Sequence, residues 1–424
     1  MNKYYIATDK IDLKCYPNYS FEIGDIDGDG RMEFISMDQS GNLLRVVNLD
    51  GELLFEKNLD NNGNWGTALV CVADIDGDGR QEIIAPNGGS VVAFDAKGNK
   101  IRERNFGECQ KDAFQISVPL LGAARIKSLD EPSIIAAVAG GTIYALDTNF
   151  NIIWKTDGFR RDFGHEIHFA DIDGDGLDEI AVCTVDTING WSETIIGELL
   201  LLDHDGTVLL RKRVQDLHWD THFDDIAMAD FTGDGTCQIL IEKGILIDLN
   251  GDVIWDLCRE MEHGQWIAHT PNPDGKGKLV FISELWGNAM KSMLFTGQGQ
   301  IIKKIEDIKD LPWPKPAVPD MRMLPSRTHM VRWTPESEPE IFLAQQAIIG
   351  SHDSTETYHY QLTCLFMDLQ GNLTGELPFD DAQIEGYYYN GEVHSRVADV
   401  DGDGQQEIVF PKQDGHVMII KKKI

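Results

Sequence analysis

Residues 170–181 read ADIDGDGLDEIA: an apolar lead, aspartates at 171, 173 and 175, two glycines, then Glu179 opening a second apolar run. The string returns as GDIDGDGRMEFI from Gly24, ADIDGDGRQEII from Ala73, ADFTGDGTCQIL from Ala229 and ADVDGDGQQEIV from Ala398. The 49 residues between Asp25 and Asp74 go almost twice into the 97 between Asp74 and Asp171, so a worn copy is expected near residue 124. GAARIKSLDEPSIIAAV from Gly122 supplies it. Two more worn copies, AHTPNPDGKGKLVFIS from Ala268 and VRWTPESEPEIFLAQ from Val331, bring the units to eight.

A strand, a polar turn and another strand follow each loop, as in NLDGELLFE from Asn48, LLDHDGTVLL from Leu201 and FMDLQGNLTGE from Phe366. Seven units have this hairpin. The eighth stops at MIIKKKI, one strand short, while the chain opens with a lone strand-like segment, Lys3 to Ala7. Four short strands per unit, with Asp/Gly turns and a period of about 40 to 65 residues, are the pattern of propeller blades. The expectation is an all-β chain, residues 1–424 forming a single eight-bladed β-propeller closed by the N-terminal strand. Seven blades is the fallback if one worn unit is an insertion.

The 37 Lys+Arg against 70 Asp+Glu leave a formal net charge of −33, which argues against nucleic acid or an anionic membrane as partner. No apolar run approaches the ~20 residues of a membrane span. The start, MNKYYIATDKIDLK, lacks the features of a secretory leader, so a cytoplasmic monomer is expected, or a secreted one if a leader has been removed. The seven cysteines are scattered with no CxxC pair and read as reduced core thiols.

The intact loops put carboxylates at positions 1, 3, 5 and 9 and a backbone carbonyl at 7. The sets are Asp25, Asp27, Asp29, Arg31, Glu33; Asp74, Asp76, Asp78, Arg80, Glu82; Asp171, Asp173, Asp175, Leu177, Glu179; and Asp399, Asp401, Asp403, Gln405, Glu407. Carboxylates this close repel unless a hard divalent cation neutralises them, and Ca²⁺ accepts such flexible oxygen coordination. Spread around the chain, these sites read as structural. In the loop from Asp230, Thr232 and Gln238 replace two ligands, so that site is expected to be weak or empty.

If the Asp-rich loop joins strands one and two, the turn joining strands three and four shares its face. The other connections lie opposite, and the long insertions fall there: Asp186 to Ile196, Leu311 to Ser326 and Gly350 to Tyr358. Function is expected on that face. Histidines gather where the inner strands begin, in GHEIH (164–168), HWDTHFDD (218–225), HGQW (263–266), RTH (327–329) and YYYNGEVH (387–394). Such a ring of histidines and carboxylates suits general acid–base work or a second metal site, and its tyrosines and Trp266 suit either stacking on sugars or packing between blades.

ADIDGDG loops after a strand led by Gly-His, with His-x-Asp in the next blade, resemble the eight-bladed, calcium-studded propellers of the rhamnogalacturonan lyases and, more loosely, FG-GAP repeats of integrin-like propellers. GHEIHFADIDGDGLDEI followed by HFDDIAMADFTGDG looks like two consecutive lyase blades. It puts His165 on the family's Asn-His step and His222 and Asp224 on its His-Gly-Asp step. Phe223 stands where that step has glycine, Ala227 stands where a further histidine is usual, and the extra β-domains of bacterial lyases are not expected.

The resemblance implies β-elimination on a uronic-acid-containing, rhamnogalacturonan-like glycan. His165, His222, Asp224, Arg327 and His394 are then the catalytic candidates: a histidine base, Asp224 to orient it or hold a catalytic Ca²⁺, and an arginine to neutralise the sugar carboxylate. His263, Trp266, Tyr388 and Arg396 are the candidate substrate-binding residues. The competing expectation is a non-catalytic calcium propeller that binds glycans or proteins through the same face.

Overall fold

The computed structural model describes residues 3–15, 17–38, 40–61, 69–107, 116–188, 193–218, 223–261, 264–273, 275–284, 291–305, 321–325, 327–349, 358–384, 394–412 and 415–424. These form eight antiparallel sheets in a ring, the eight-bladed all-β propeller that the repeat spacing predicts. Blade 1 has the basic pattern: Pro17–Gly24, Glu33–Asp38, Leu43–Val47 and Leu53–Asn58, in that order from the channel outward. The worn units are complete blades too, blade 3 starting at Leu120–Ala124 and blade 6 at Gly264–Pro271.

Burial follows position in the blade. The second strands Glu82–Asn87 and Ser133–Val138 are buried almost throughout, since neighbouring blades cover both faces. Outer strands such as Val208–Arg213 keep one face in water and carry the alternation of a half-exposed strand. The core lies between sheets. Where blades 7 and 8 meet it consists of Trp333, Phe342, Phe366, Phe410, Ile420 and Tyr4 from the chain's start.

Closure follows from that last contact. Tyr4–Asp12 pairs antiparallel with His416–Lys422, from Tyr4 opposite Lys422 to Asp12 opposite His416, and is the fourth strand of blade 8. It runs beyond the expected Lys3–Ala7 because two register shifts let it follow the twist of its partner.

Blade 7 departs from the pattern. Its second strand, Glu340–Ile349, is too long for His329–Val331 to cover, and Met321–Pro325 pairs with its far end as a fifth strand. The end of the proline-rich insertion is therefore part of a sheet; 306–320 and the tip at 350–357 lie outside the described residues. Six described cysteines are free thiols, and no described helix is long and apolar enough to cross a membrane.

The Asp-rich loops join first to second strands and the polar turns join third to fourth. They share one face, and in blade 1 Arg31 ties them together by donating to both oxygens of Asp50 at 3.0 and 3.2 Å. The starts of the inner strands open on the opposite face.

Candidate functional site

In the first loop, Asp25 accepts from the backbone N–H of Gly28 at 2.8 Å and of Gly30 at 3.0 Å, which wraps the loop around one carboxylate. Gly30 sits at φ +85°, a conformation side chains rarely adopt. Asp27 and Asp29 cap the next N–H groups, and Glu33 reaches back to the N–H of Ile26 at 3.0 Å. The loops at Asp74 and Asp171 repeat this bonding. Carboxylate oxygens converge within 4.8 Å in Asp25/Asp27/Asp29, in Asp74/Asp76/Asp78 and in Asp171/Asp173/Glu179.

Burial, and then the neighbouring aspartates, push Glu33 and Glu179 up to about 7 and raise Glu82 as well. Each loop thus holds more negative charge than the fold compensates, and its donors are all oxygens, which fits Ca²⁺. Bound there, the ion would neutralise the carboxylates and pin the first two strands of a blade. In blade 4, His204 adds a nitrogen 3.7 Å from Asp175 and 3.9 Å from Glu179.

Two loops differ. In blade 5 the carboxamide of Gln238 accepts from the N–H of Phe231 at 2.8 Å and donates to the Thr236 carbonyl at 2.7 Å and to Asp234 at 3.3 Å. An N–H donor thus stands among the oxygens a metal would use. In blade 8, Asp399, Asp401 and Glu407 converge as in the intact loops, but Lys421 Nζ lies 2.6 Å from Asp401, 2.8 Å from Asp403 and 3.2 Å from Glu407.

The inner strands enclose a cavity of ≈ 580 Å³, lined by Glu22, Glu166, Arg327, His329, His394 and Arg396 among others. Arg327 donates to Glu166 at 2.9 Å, and His394 Nδ1 lies 3.6 Å from the same oxygen. Arg396 forks onto both oxygens of Glu22 at 3.0 and 3.2 Å. His329 Nε2 meets the Ser395 hydroxyl at 2.8 Å. Burial, reinforced by the two arginines, drives His394 and His329 down to about 3, so both are neutral at pH 7. Burial alone would raise Glu166, but the Arg327 guanidinium outweighs it and holds the carboxyl below its usual range, ionised.

Next to Glu166 in sequence, but not among the residues that line the cavity, His165 has its Nδ1 3.4 Å from Asp224 Oδ1. The N–H of Asp224 donates to Glu242 at 3.2 Å, and Glu242 in turn lies 3.1 Å from Lys243. Both members of that last pair are buried, at 0% and 1% side-chain exposure. Asp225 crosses between blades, with His168 at 3.2 Å and the N–H of Ile267 at 2.7 Å.

His165 and Asp224 therefore come together, and Arg327 and His394 share Glu166. Arg396 lines the same cavity, paired with Glu22. Trp266 is 2% exposed, so its ring packs in the interior and offers no face to a sugar in this structure. His222, His263 and Tyr388 lie outside the described residues.

The partners Glu22, Glu166 and Glu242–Lys243 were missed from sequence. A signal existed for the first two: in four blades a residue three or five before the loop's first aspartate lines the cavity, as Glu22, Cys71 and Arg396 do at three and Leu69, Glu166 and His394 at five. For the third, a Glu-Lys pair in the tight turn between the apolar strands Gln238–Ile241 and Ile245–Ile247 was the sign.

A family model for an FG-GAP-like repeat matches residues 25–85, the stretch from the first Asp-rich loop through the second. A search of curated protein sequences gives no match. Among solved structures, the exotype rhamnogalacturonan lyase YesX is similar at 19% identity and a TM-score of 0.61, over 95% of this chain and 72% of that one. The rhamnogalacturonan lyase PL11 of Bacillus licheniformis is similar at 17% and 0.60, over 100% of this chain and 76% of that one. Sqt1 of Saccharomyces cerevisiae matches at 10% and 0.52, over 99% of both chains. The chain is an eight-bladed β-propeller with an FG-GAP-like repeat, similar in fold to rhamnogalacturonan lyases.

Proposed function

We propose that the chain is a polysaccharide lyase that cleaves a uronic-acid-containing glycan by β-elimination at the channel mouth opposite the Asp-rich loops. The observation that carries this reading is the His165–Asp224 contact, one residue along the strand from the Glu166 that Arg327 and His394 share. Elimination needs the sugar carboxylate neutralised so that the C5 proton becomes acidic, a base to take that proton, and a donor for the departing C4 oxygen. Asp224, facing Nδ1, orients the His165 ring and leaves Nε2 to accept the C5 proton. The C5 electron pair forms the C4–C5 double bond as the C4–O bond breaks, and the leaving oxygen takes a proton from water. Arg327 and Arg396 are the cations that receive the carboxylate, which a chain of net charge −33 would otherwise repel.

Incubation with rhamnogalacturonan, ulvan and a glucuronate-bearing gum, followed by ultraviolet absorbance, tests the reading, because only elimination creates the conjugated double bond. No absorbing product from any of them, with the folded protein shown to bind one, would favour the second reading, a non-catalytic glycan-binding propeller. One observation favours that alternative: both arginines already hold carboxylate partners, Glu166 and Glu22.

A further inference from the structure

We propose that Lys421 takes the place of a metal ion in the last Asp-rich loop, so that the blade closing the ring holds its loop without calcium. The ammonium group contacts three of the four loop carboxylates, Asp401, Asp403 and Glu407, at 2.6 to 3.2 Å. Those are oxygens that the other intact loops offer to a cation. An ammonium among three carboxylates makes charge-assisted hydrogen bonds and brings its charge covalently, with no dissociation equilibrium.

Register explains why only this blade can do so. Ile408 pairs with Ile420, so Lys421 stands across from Glu407. In blades 1 and 2 the corresponding positions are Asn48 and Asp95, following Val47 and Phe94. Both build the turn to the fourth strand: Asn48 accepts from the N–H of Glu52 at 2.9 Å, and Asp95 from that of Asn99 at 2.7 Å. Blade 8 has no such turn, because its fourth strand comes from the other end of the chain. Position 421 is thereby released from turn-making, and a long cationic side chain fits.

Two further positions follow the same logic. Gln238 Nε2 lies among the loop oxygens of blade 5. Lys422, next along the strand, meets Glu340 at 2.9 Å, and Lys3 meets the same carboxylate at 2.9 Å. Glu340 is the blade 7 counterpart of Glu407, each pairing with the last residue of a short inner strand, Val331 and Ala398. Lysines from the two ends of the chain thus neutralise both acidic positions at the seam, and ring closure is uncoupled from calcium.

Counting bound Ca²⁺ by native mass spectrometry and calorimetry tests this. The wild-type chain should bind three ions, at the loops of Asp25, Asp74 and Asp171, and Lys421→Met should bind four. Four in the wild type, or an unchanged three in the variant, would overturn the proposal. A second measurement does not depend on the variant folding: hydrogen exchange of the wild-type protein with and without chelator. Chelation should speed exchange in 25–33, 74–82 and 171–179 and leave 399–407 protected. Equal deprotection of all four segments would also overturn it.

Discussion

The hydroxyl of Tyr4 donates to Glu340 at 2.9 Å, joining the first strand of the chain to the blade before the one it completes. Its ring stacks on Phe366 at 3.6 Å between centroids, and the Trp333 indole N–H donates to the same Glu340 oxygen at 2.8 Å. Tyr4 is thus both the apolar plug and the polar latch of the seam. Tyr4→Phe removes the hydrogen bond to Glu340, worth about 1.5–3 kcal/mol for a charged partner, together with the contact to the Thr374 hydroxyl at 2.9 Å, whereas Tyr4→Ala also empties the aromatic site and should cost more, by about the 3–5 kcal/mol of a lost buried ring. Denaturant unfolding should rank the two in that order. Deleting residues 1–7 removes the pairing of Tyr4 to Ile6 with Lys422 to Ile420 and should expose that end of blade 8 to association through its unpaired edge; a soluble, fully folded monomer after that deletion would show that the seam does not depend on these residues.

Calcium should matter unevenly. At free calcium of about 100 times Kd, each site that binds only the folded state adds about 2.7 kcal/mol, so chelation should lower the melting temperature. Asp173→Ala should destabilise the calcium-loaded protein more than Asp230→Ala, because blade 5 already fills its loop with the Gln238 carboxamide. The reverse order in thermal melts would mean that the occupied and self-satisfied loops have been exchanged.

Acid should weaken the channel through its histidines. His394 has a folded-state pKa of about 3, lowered first by burial and then by Arg327 and Arg396, against an ordinary value near 6.5. Between those values the unfolded chain binds a proton that the folded chain refuses, so this contribution is complete above pH ~6.5 and fades as pH falls. The slope is about 1.4 kcal/mol per pH unit for one such group. Replacing His394 with Gln should remove about one proton from the uptake on unfolding near pH 5, measured from stability against pH; an unchanged slope would show that this histidine already carries its proton in the folded state.

Much of the architecture was readable because the Asp-rich loop marks the same point in every blade, so even copies as worn as 122–138 could be placed by spacing. The lone N-terminal strand announced closure for the same reason: one unit lacked a strand. The channel was less legible, since its pairs are remote in sequence. Arg396 and Glu22 are 374 residues apart, and Arg327 and Glu166 are 161 apart. Sequence marks the arginines as candidate cations but not the carboxylates that hold them. Trp266 was read as a possible stacking surface and is buried, because its strand packs between neighbouring blades. Lys421 belongs to the closing MIIKKKI, and only the Ile408–Ile420 register brings it to the loop.

The assignment of His165 as base has a sharper test now that its surroundings are known. The residue is 8% exposed, so truncation to alanine would remove packing as well as chemistry. His165→Gln keeps most of the volume and loses the basic nitrogen. On whichever uronate glycan yields unsaturated product, it should lower kcat by about 10²- to 10⁴-fold, the usual range for a lost general base, with KM and melting temperature little changed. Asp224→Asn keeps the shape and removes the charge facing Nδ1, so it should lower kcat less and move the alkaline-rising limb of the pH–rate profile, a readout that mere packing would leave alone. Arg396→Gln, which frees Glu22 and removes a channel cation, should instead act mainly on KM. If His165→Gln turns over normally per folded molecule while Arg396→Gln still weakens binding, the channel captures the uronate but the base is another residue, and His165 belongs to the scaffold.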